Sequence, residues 1–244
     1  KHVYFGSSAD DQVHCLDFNS GEERWSFFTE GPVRFAPTLH DGRLFVGSDD
    51  GHAYCLSTDG KYIWKKLLAP RDYRIAGNNR IISAWPLRTG ILVRDGIAYA
   101  GAGMFPKEQV YLMALDSVNG ELKWREGQKE WPAQGYLLLS ESRVFVPTGR
   151  SNPIVYNRNN HERDKGAEKA LAGTRDAFTL IKWNGKSQPN PRQSGRVLGS
   201  VEGEKQDSFA TFTGNHMIVA DGKSYLQANG ELSVLDRMRY RKLL

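Results

Sequence analysis

The chain is 244 residues long, 39% hydrophobic and 25% charged, the composition of a soluble globular protein with a sizeable core. Its net charge of +5 is mild, and apart from Arg237, Arg239, Arg241 and Lys242 the basic residues are scattered, so an acidic partner is permitted but no specific nucleic-acid partner is expected. Two cysteines make neither a disulfide framework nor a zinc site, and no run approaches the roughly 20 apolar residues of a membrane-spanning helix, so no transmembrane segment is expected.

An aromatic content of 11% together with 25 glycines suits many short strands joined by tight turns. These strands recur as a repeat. Residues 3–25 read VYFGSSADDQVHCLDFNSGEERW, 41–64 read DGRLFVGSDDGHAYCLSTDGKYIW, and 95–124 read DGIAYAGAGMFPKEQVYLMALDSVNGELKW. Weaker copies follow at 141–156 and 214–240. In each copy an apolar run predicts one strand (3–6, 44–47, 98–101, 144–147, 217–220) and a second run predicts the next (13–17, 53–57, 111–116, 154–156, 232–236). A turn then places a glycine four residues ahead of a tryptophan: Gly21 and Trp25, Gly60 and Trp64, Gly120 and Trp124. Asp41-Gly42 and Asp95-Gly96 are hairpin signals, because glycine takes a positive φ without a steric cost.

The unit is therefore four short antiparallel strands. One such sheet cannot bury both of its faces alone, whereas neighbours stacked about an axis can, which predicts an all-β β-propeller of four-stranded antiparallel blades. Trp25, Trp64 and Trp124 are expected to be structural, each ring covering the gap between adjacent blades, since a ligand site would not need the same residue in every repeat. Blade-like units are expected at about 1–35, 36–69, 88–130, 134–206 and 207–244 of a single domain, the first lacking its innermost strand and the fourth carrying an insertion.

The VYVGS-like strand, the ALD-like strand and the Gly-x3-Trp turn together resemble the PQQ-repeat (quinoprotein-like) β-propeller family, which includes quinoprotein alcohol dehydrogenases and BamB-like bacterial propellers. The stretch 69–100, with Ala69-Pro70-Arg71-Asp72 and Trp85-Pro86, is more similar to the BamB-like members. The resemblance implies a ring of seven or eight blades. With about five present, this segment would pair with other blades of the same longer chain, and Lys1 opening almost directly in a strand-like run reads the same way. It further implies a periplasmic or envelope location, although no signal peptide lies in this segment. The function it implies is a noncatalytic module that binds or scaffolds protein. The other class it allows is a quinoprotein-type dehydrogenase, or another propeller enzyme, acting on an alcohol or carbohydrate.

Members of the dehydrogenase class carry adjacent cysteines, a Glu, Asn and Asp set for calcium against the quinone PQQ, and a catalytic Asp. Here Cys15 and Cys55 are not adjacent; they share one column of two repeats and read as small buried hydrophobes. No segment maps the calcium ligands, and none of the six histidines has a metal-ligand spacing. The expectation is accordingly no catalytic residue, no metal and no cofactor, PQQ with calcium being what the enzyme reading would require.

Two stretches break the repeat spacing, 69–89 and 157–206. The first carries Arg71, Asp72, Arg74, Arg80, Trp85 and Arg88. Arginine with tryptophan is the composition of a recognition surface, through planar hydrogen-bond forks and ring stacking. The alternative is a long loop tied down by Arg–carboxylate and Trp contacts. A second candidate is 148–152, with Arg150 and Asn152, where the repeat departs from its pattern; the alternative there is a polar hairpin turn. Within 157–206, residues 163–173 have a helix-like composition, and 177–183 read as a strand ending in Trp183.

Overall fold

The computed structural model describes residues 1–77, 79–139, 142–148 and 153–165 and, beyond them, the strands lying between 176 and 242. Arg150, Asn152, Trp183 and most of the helix-like stretch lie outside the described residues. The chain forms two compact units, Lys1–Gln134 and Gly135–Leu244.

The first unit holds three blades. Strands β1 (His2–Gly6), β2 (Gln12–Asp17) and β3 (Glu23–Phe28) make a three-stranded antiparallel sheet. Strands β4 (Thr38–His40), β5 (Arg43–Gly47), β6 (His52–Ser57) and β7 (Tyr62–Leu67) make a complete four-stranded one. A two-stranded hairpin, β8 (Arg74–Gly77) and β9 (Arg80–Ser83), occupies the connection that sequence reading left as a loop. The third blade is β10 (Leu92–Arg94), β11 (Ile97–Ala102), β12 (Val110–Asp116) and β13 (Leu122–Gln128). The turns follow from the residues at their tips. Asp41 and Gly42 sit at φ 46° and 71°, Asp95 and Gly96 at 53° and 74°, the doubly left-handed turn whose twist matches that of the flanking strands.

Three repeated devices join the blades. The first is the glycine that ends the leading strand. A Cβ on Gly6 would lie 2.2 Å from Val33 Cγ1, one on Gly47 3.1 Å from Leu87 Cβ, and one on Gly101 2.9 Å from Ala133 Cβ. In each case the chain leading onward crosses the strand end there, and only glycine lets it approach. The second is a bulge on the β2–β3, β6–β7 and β12–β13 pairings, after Cys15, Cys55 and Ala114. These three small residues stand directly opposite Trp25, Trp64 and Trp124, which is why two of them can be cysteines without any chemistry attached. The third is the indole itself. Trp25 Nε1 donates to Thr58 O at 3.1 Å, and Trp64 Nε1 to Ser117 O at 3.4 Å, each carbonyl belonging to the turn of the following blade. The rings lie against Gly60 and Gly120, where a Cβ would come within 2.7 and 2.8 Å of the indole. Each ring also tilts against the aromatic at the second position of its own blade's leading apolar run: Tyr4, Phe45 and Tyr99 at 5.9, 6.0 and 6.0 Å. Between blades lie the cores: Val13, Val33, Val46 and Tyr54 in one seam, and Phe45, Trp64, Leu87, Ala100 and Met113 in the other.

Gly21 occupies the same turn position in the first blade, at φ 72°, but has no atom within 4 Å of where a Cβ would sit. The molecule thereby contains its own control. All three Gly→Ala substitutions incur the left-handed backbone cost of about 1 kcal/mol. Gly60→Ala and Gly120→Ala must also displace an indole, an overpacking cost of about 1–3 kcal/mol more. Urea unfolding of the three variants should separate them in that order, and equal losses would mean the rings do not rest on the turns.

The second unit continues the strand-and-turn grammar. Strands β14 (Leu138–Leu139), β15 (Arg143–Val146) and β16 (Ile154–Asn157) pair antiparallel in that order. The turn after β16 closes with Asn157 N donating to Glu162 O at 2.9 Å, the bond made by Asp17 to Glu22 and by Asp116 to Glu121. His161, at φ 66°, stands where those turns place glycine. Next come β17 (Asp176–Ile181), β18 (Arg196–Val201) and β19 (Ser208–Thr213), where β17 and β18 run parallel, unlike the pairs within the blades above. Strands β20 (His216–Ala220), β21 (Lys223–Ala228), β22 (Glu231–Asp236) and β23 (Arg241–Lys242) form a four-stranded antiparallel sheet. No helix among the described residues is long and apolar enough to cross a membrane.

Candidate functional site

The residues singled out in 69–89 are brought together by the hairpin but divided by it into two groups. Strand alternation puts Arg74 on the opposite face from Tyr73 and Ile75. Arg74 is spent within the molecule: its Nε donates to Asp72 at 2.8 Å and its Nη2 to Glu30 at 3.1 Å. Glu30 also takes Lys65, whose hydrogen bond holds the Glu30 carboxyl below the usual carboxylate range against the opposing effect of burial. Arg80 Nη1 donates to both Asp11 oxygens, at 3.1 and 3.0 Å, and its Nη2 to Ala9 O, tying the hairpin to the first blade.

Arg88 and Trp85 lie deeper. Arg88 is 7% exposed and donates through Nε and Nη2 to Asp49 at 2.6 and 2.7 Å. Arg34 adds a third bond to that same buried carboxylate at 2.7 Å. Main-chain bonds from Asp49 N to Pro32 O and from Ser83 N to Asp49 O, at 2.9 and 2.7 Å, make this residue the junction of the chains entering and leaving the second blade. Its neighbour Asp50 accepts Tyr54 Oη and the amide of His52. Burial opposes the Asp50 charge, but those bonds outweigh it, and the pKa is lowered. Trp85, 4% exposed, donates from Nε1 to Glu108 O at 2.9 Å and Gln109 O at 3.0 Å. Arg74, Arg80, Trp85 and Arg88 therefore hold the connection in place. Of the arginines of 69–89, Arg71 alone makes no ion pair among the described residues; its guanidinium lies 4.9 Å above the Tyr73 ring.

What the tethers hold open is a cleft of about 490 Å³. One wall is Tyr73, Ile75 and Ala84 from the hairpin; the other is Phe105, Pro106, Lys107 and Glu108, a 3-10 turn inserted between β11 and β12. Tyr73 and Phe105 stay 46% and 40% exposed. Large half-exposed aromatics on a rigid support are the mark of a contact surface. Sequence reading missed this second wall. Its signal was the extra length of 101–110 relative to the corresponding turns at 6–12 and 47–52.

Burial pushes the Cys55 thiol up to about 11 and raises that of Cys15, so neither is a thiolate nucleophile near neutral pH. His14 is held between Glu23 at 2.7 Å and Asp10 at 3.0 Å on the first blade.

Comparison with known proteins agrees with this architecture. Residues 1–85 match the family model described as outer membrane protein assembly factor BamB. Over 85 residues the chain is 32% identical to a 1-butanol dehydrogenase (cytochrome c) of Thauera butanivorans, covering 29% of this chain and 12% of that protein. The fold is similar to BamB from Moraxella catarrhalis (TM-score 0.50, 10% identity), covering all of this chain and 57% of that one. It is also similar to a europium-containing methanol dehydrogenase (0.53, 11%, with 100% and 48% covered). A quinohemoprotein alcohol dehydrogenase from Pseudomonas putida HK5 gives 0.54 at 13% identity, with 100% and 40% covered. The chain thus spans between about an eighth and about three-fifths of these relatives.

The enzymes among them raise the question of a quinone with calcium. Among the described residues no three His, Cys, Asp or Glu side chains converge as a metal site. Cys15 and Cys55 sit in separate blades, each beneath a tryptophan. Asp49 is saturated by two guanidinium groups. What the repeats, the family match and the shared fold do establish is that residues 1–85 match the BamB family model and that the chain has a β-propeller fold like that of BamB and the PQQ-type dehydrogenases.

Proposed function

We propose that this chain is a noncatalytic part of a PQQ-type propeller that binds a protein partner in the cell envelope, with the Tyr73–Phe105 cleft at the contact. One observation carries the proposal: a hairpin that departs from the repeat is pinned by Arg74 and Arg80 so that it faces an apolar cleft open to solvent. A wall already fixed loses little freedom on binding, which favours affinity. The description of the matched family, an outer membrane protein assembly factor, supports both a protein partner and an envelope location.

The 32% identity to the 1-butanol dehydrogenase favours a second reading, an enzyme acting on an alcohol or carbohydrate. Two measurements decide between them. The photo-cross-linker p-benzoylphenylalanine in place of Tyr73 should trap one discrete envelope protein, while the same group in place of the exposed Phe18 should not; adducts at both sites, or at neither, would count against the cleft. PQQ with Ca²⁺ should leave Tm unchanged. A quinone bound at a hundredfold excess over Kd would raise Tm by about 5–10 °C, and that rise would put the enzyme reading in place of the binding one.

A further inference from the structure

We infer that the cleft receives a large apolar side chain of an extended partner segment that carries a carboxylate beside it, and that Arg71 meets the carboxylate. The inference rests on the protein-binding reading and adds the chemistry of the partner.

Size and lining specify the first half. A volume of about 490 Å³ lies within the usual ligand-pocket range of roughly 300–1,000 Å³ and admits a whole aromatic or branched side chain with part of its neighbour. Tyr73, Ile75, Ala84, Phe105 and Pro106 present mainly carbon to it, which selects an apolar insert over a sugar or a nucleotide, both of which need polar partners. Both walls are set before binding. Pro106 fixes the backbone of the 3-10 turn, and Trp85 Nε1 holds the carbonyls of Glu108 and Gln109 from beneath.

Charge specifies the second half. Around the hairpin the ionic groups cancel in pairs: Asp72 with Arg74, Arg74 and Lys65 with Glu30, and Arg80 with Asp11. On the opposite wall the exposed Lys107 and Glu108 stand side by side, so their formal charges sum to zero. Arg71 remains, exposed and without an ion pair among the described residues, its guanidinium over the face of Tyr73. The ring orients the guanidinium and leaves its edge free for a planar carboxylate. The Arg71 wall therefore carries net positive charge, which sets the side on which the partner's acidic residue sits.

The test uses the full chain and a random heptapeptide library, followed by fluorescein-labelled synthetic peptides read by fluorescence anisotropy. Enriched peptides should share an aromatic or aliphatic residue next to Asp or Glu. Phe105→Ala should weaken the binding of such a peptide by tenfold or more, and Arg71→Glu by roughly tenfold, the scale of one charge-assisted contact. Changing the peptide's Asp to Lys should restore binding to Arg71→Glu and weaken it on the unaltered chain. Both altered side chains are solvent-exposed, so unchanged Tm values serve as the folding control. Peptides without an acidic preference, affinity indifferent to Arg71→Glu, or no enrichment would each overturn the inference. So would competition by decanoate as effective as by unlabelled peptide, which would make the occupant a small amphiphile. A Tyr73 cross-link to a protein would stand through any of these outcomes, so failure of the carboxylate rule and failure of protein binding remain distinguishable.

Discussion

Trp64→Ala should lower the free energy of unfolding by about 3–5 kcal/mol, the range for deleting a buried large aromatic. The ring is only 7% exposed. It fills the seam between the second and third blades, touching Phe45 on its own sheet and the Gly120 turn on the next, and its Nε1 donates to Ser117 O at 3.4 Å. Removing it leaves a void bounded by two rigid sheets that cannot close without moving a whole blade. Trp64→Phe keeps part of the volume but leaves the Ser117 carbonyl without its indole donor, and should cost about 1–2 kcal/mol through the lost hydrogen bond and incomplete filling. Guanidinium unfolding monitored by circular dichroism reads both variants. A loss below about 1 kcal/mol for the alanine variant would mean the indole is not what seals the seam.

Asp49→Ala should be comparably severe, about 3–5 kcal/mol, for an electrostatic reason. The carboxylate is fully buried and is the counterion that Arg34 and Arg88 share; without it the buried Arg88 guanidinium keeps its charge and loses its partner. The damage spreads because Asp49 also receives the main chain of the hairpin segment through Ser83. Asp49→Leu combined with Arg88→Met removes the charge and its partner together. The double variant should be less destabilised than the sum of the single changes, since an apolar pair of similar volume avoids the orphaned cation. Additive losses in a double-mutant cycle would show that the two side chains are not coupled.

The blades were legible because the forces that build them are local. Asp41-Gly42 and Asp95-Gly96 encode their hairpins in two adjacent residues, and the Gly-x3-Trp spacing keeps both kinds of seam residue in view in each of the first three repeats. The site was legible only in outline. Arg74, Arg80 and Arg88 look alike in sequence, but their roles depend on carboxylates 44, 69 and 39 positions away, at Glu30, Asp11 and Asp49. Such separations carry no periodic signature. The same holds for Phe105, which reaches the cleft because Trp85 clamps its turn across more than twenty residues. Asp49 stands in the short turn between β5 and β6, and nothing nearby in the sequence marks it as the counterion of two arginines. The bulges after Cys15, Cys55 and Ala114 were equally silent, although they explain why small residues recur there.

The seam between blades has a genetic consequence. Each of the first three repeats bears a glycine turn and a tryptophan, and in the second and third the turn receives the preceding blade's ring, so a tandem duplication of one such unit yields a copy that mates with neighbours on both sides. A duplication cut midway would bring one half of the joint without the other. Copy number in such a chain can therefore grow or shrink by whole units with no redesign of either face, while a graft like the hairpin at 74–83, carried between repeats, escapes that copying and is free to specialise.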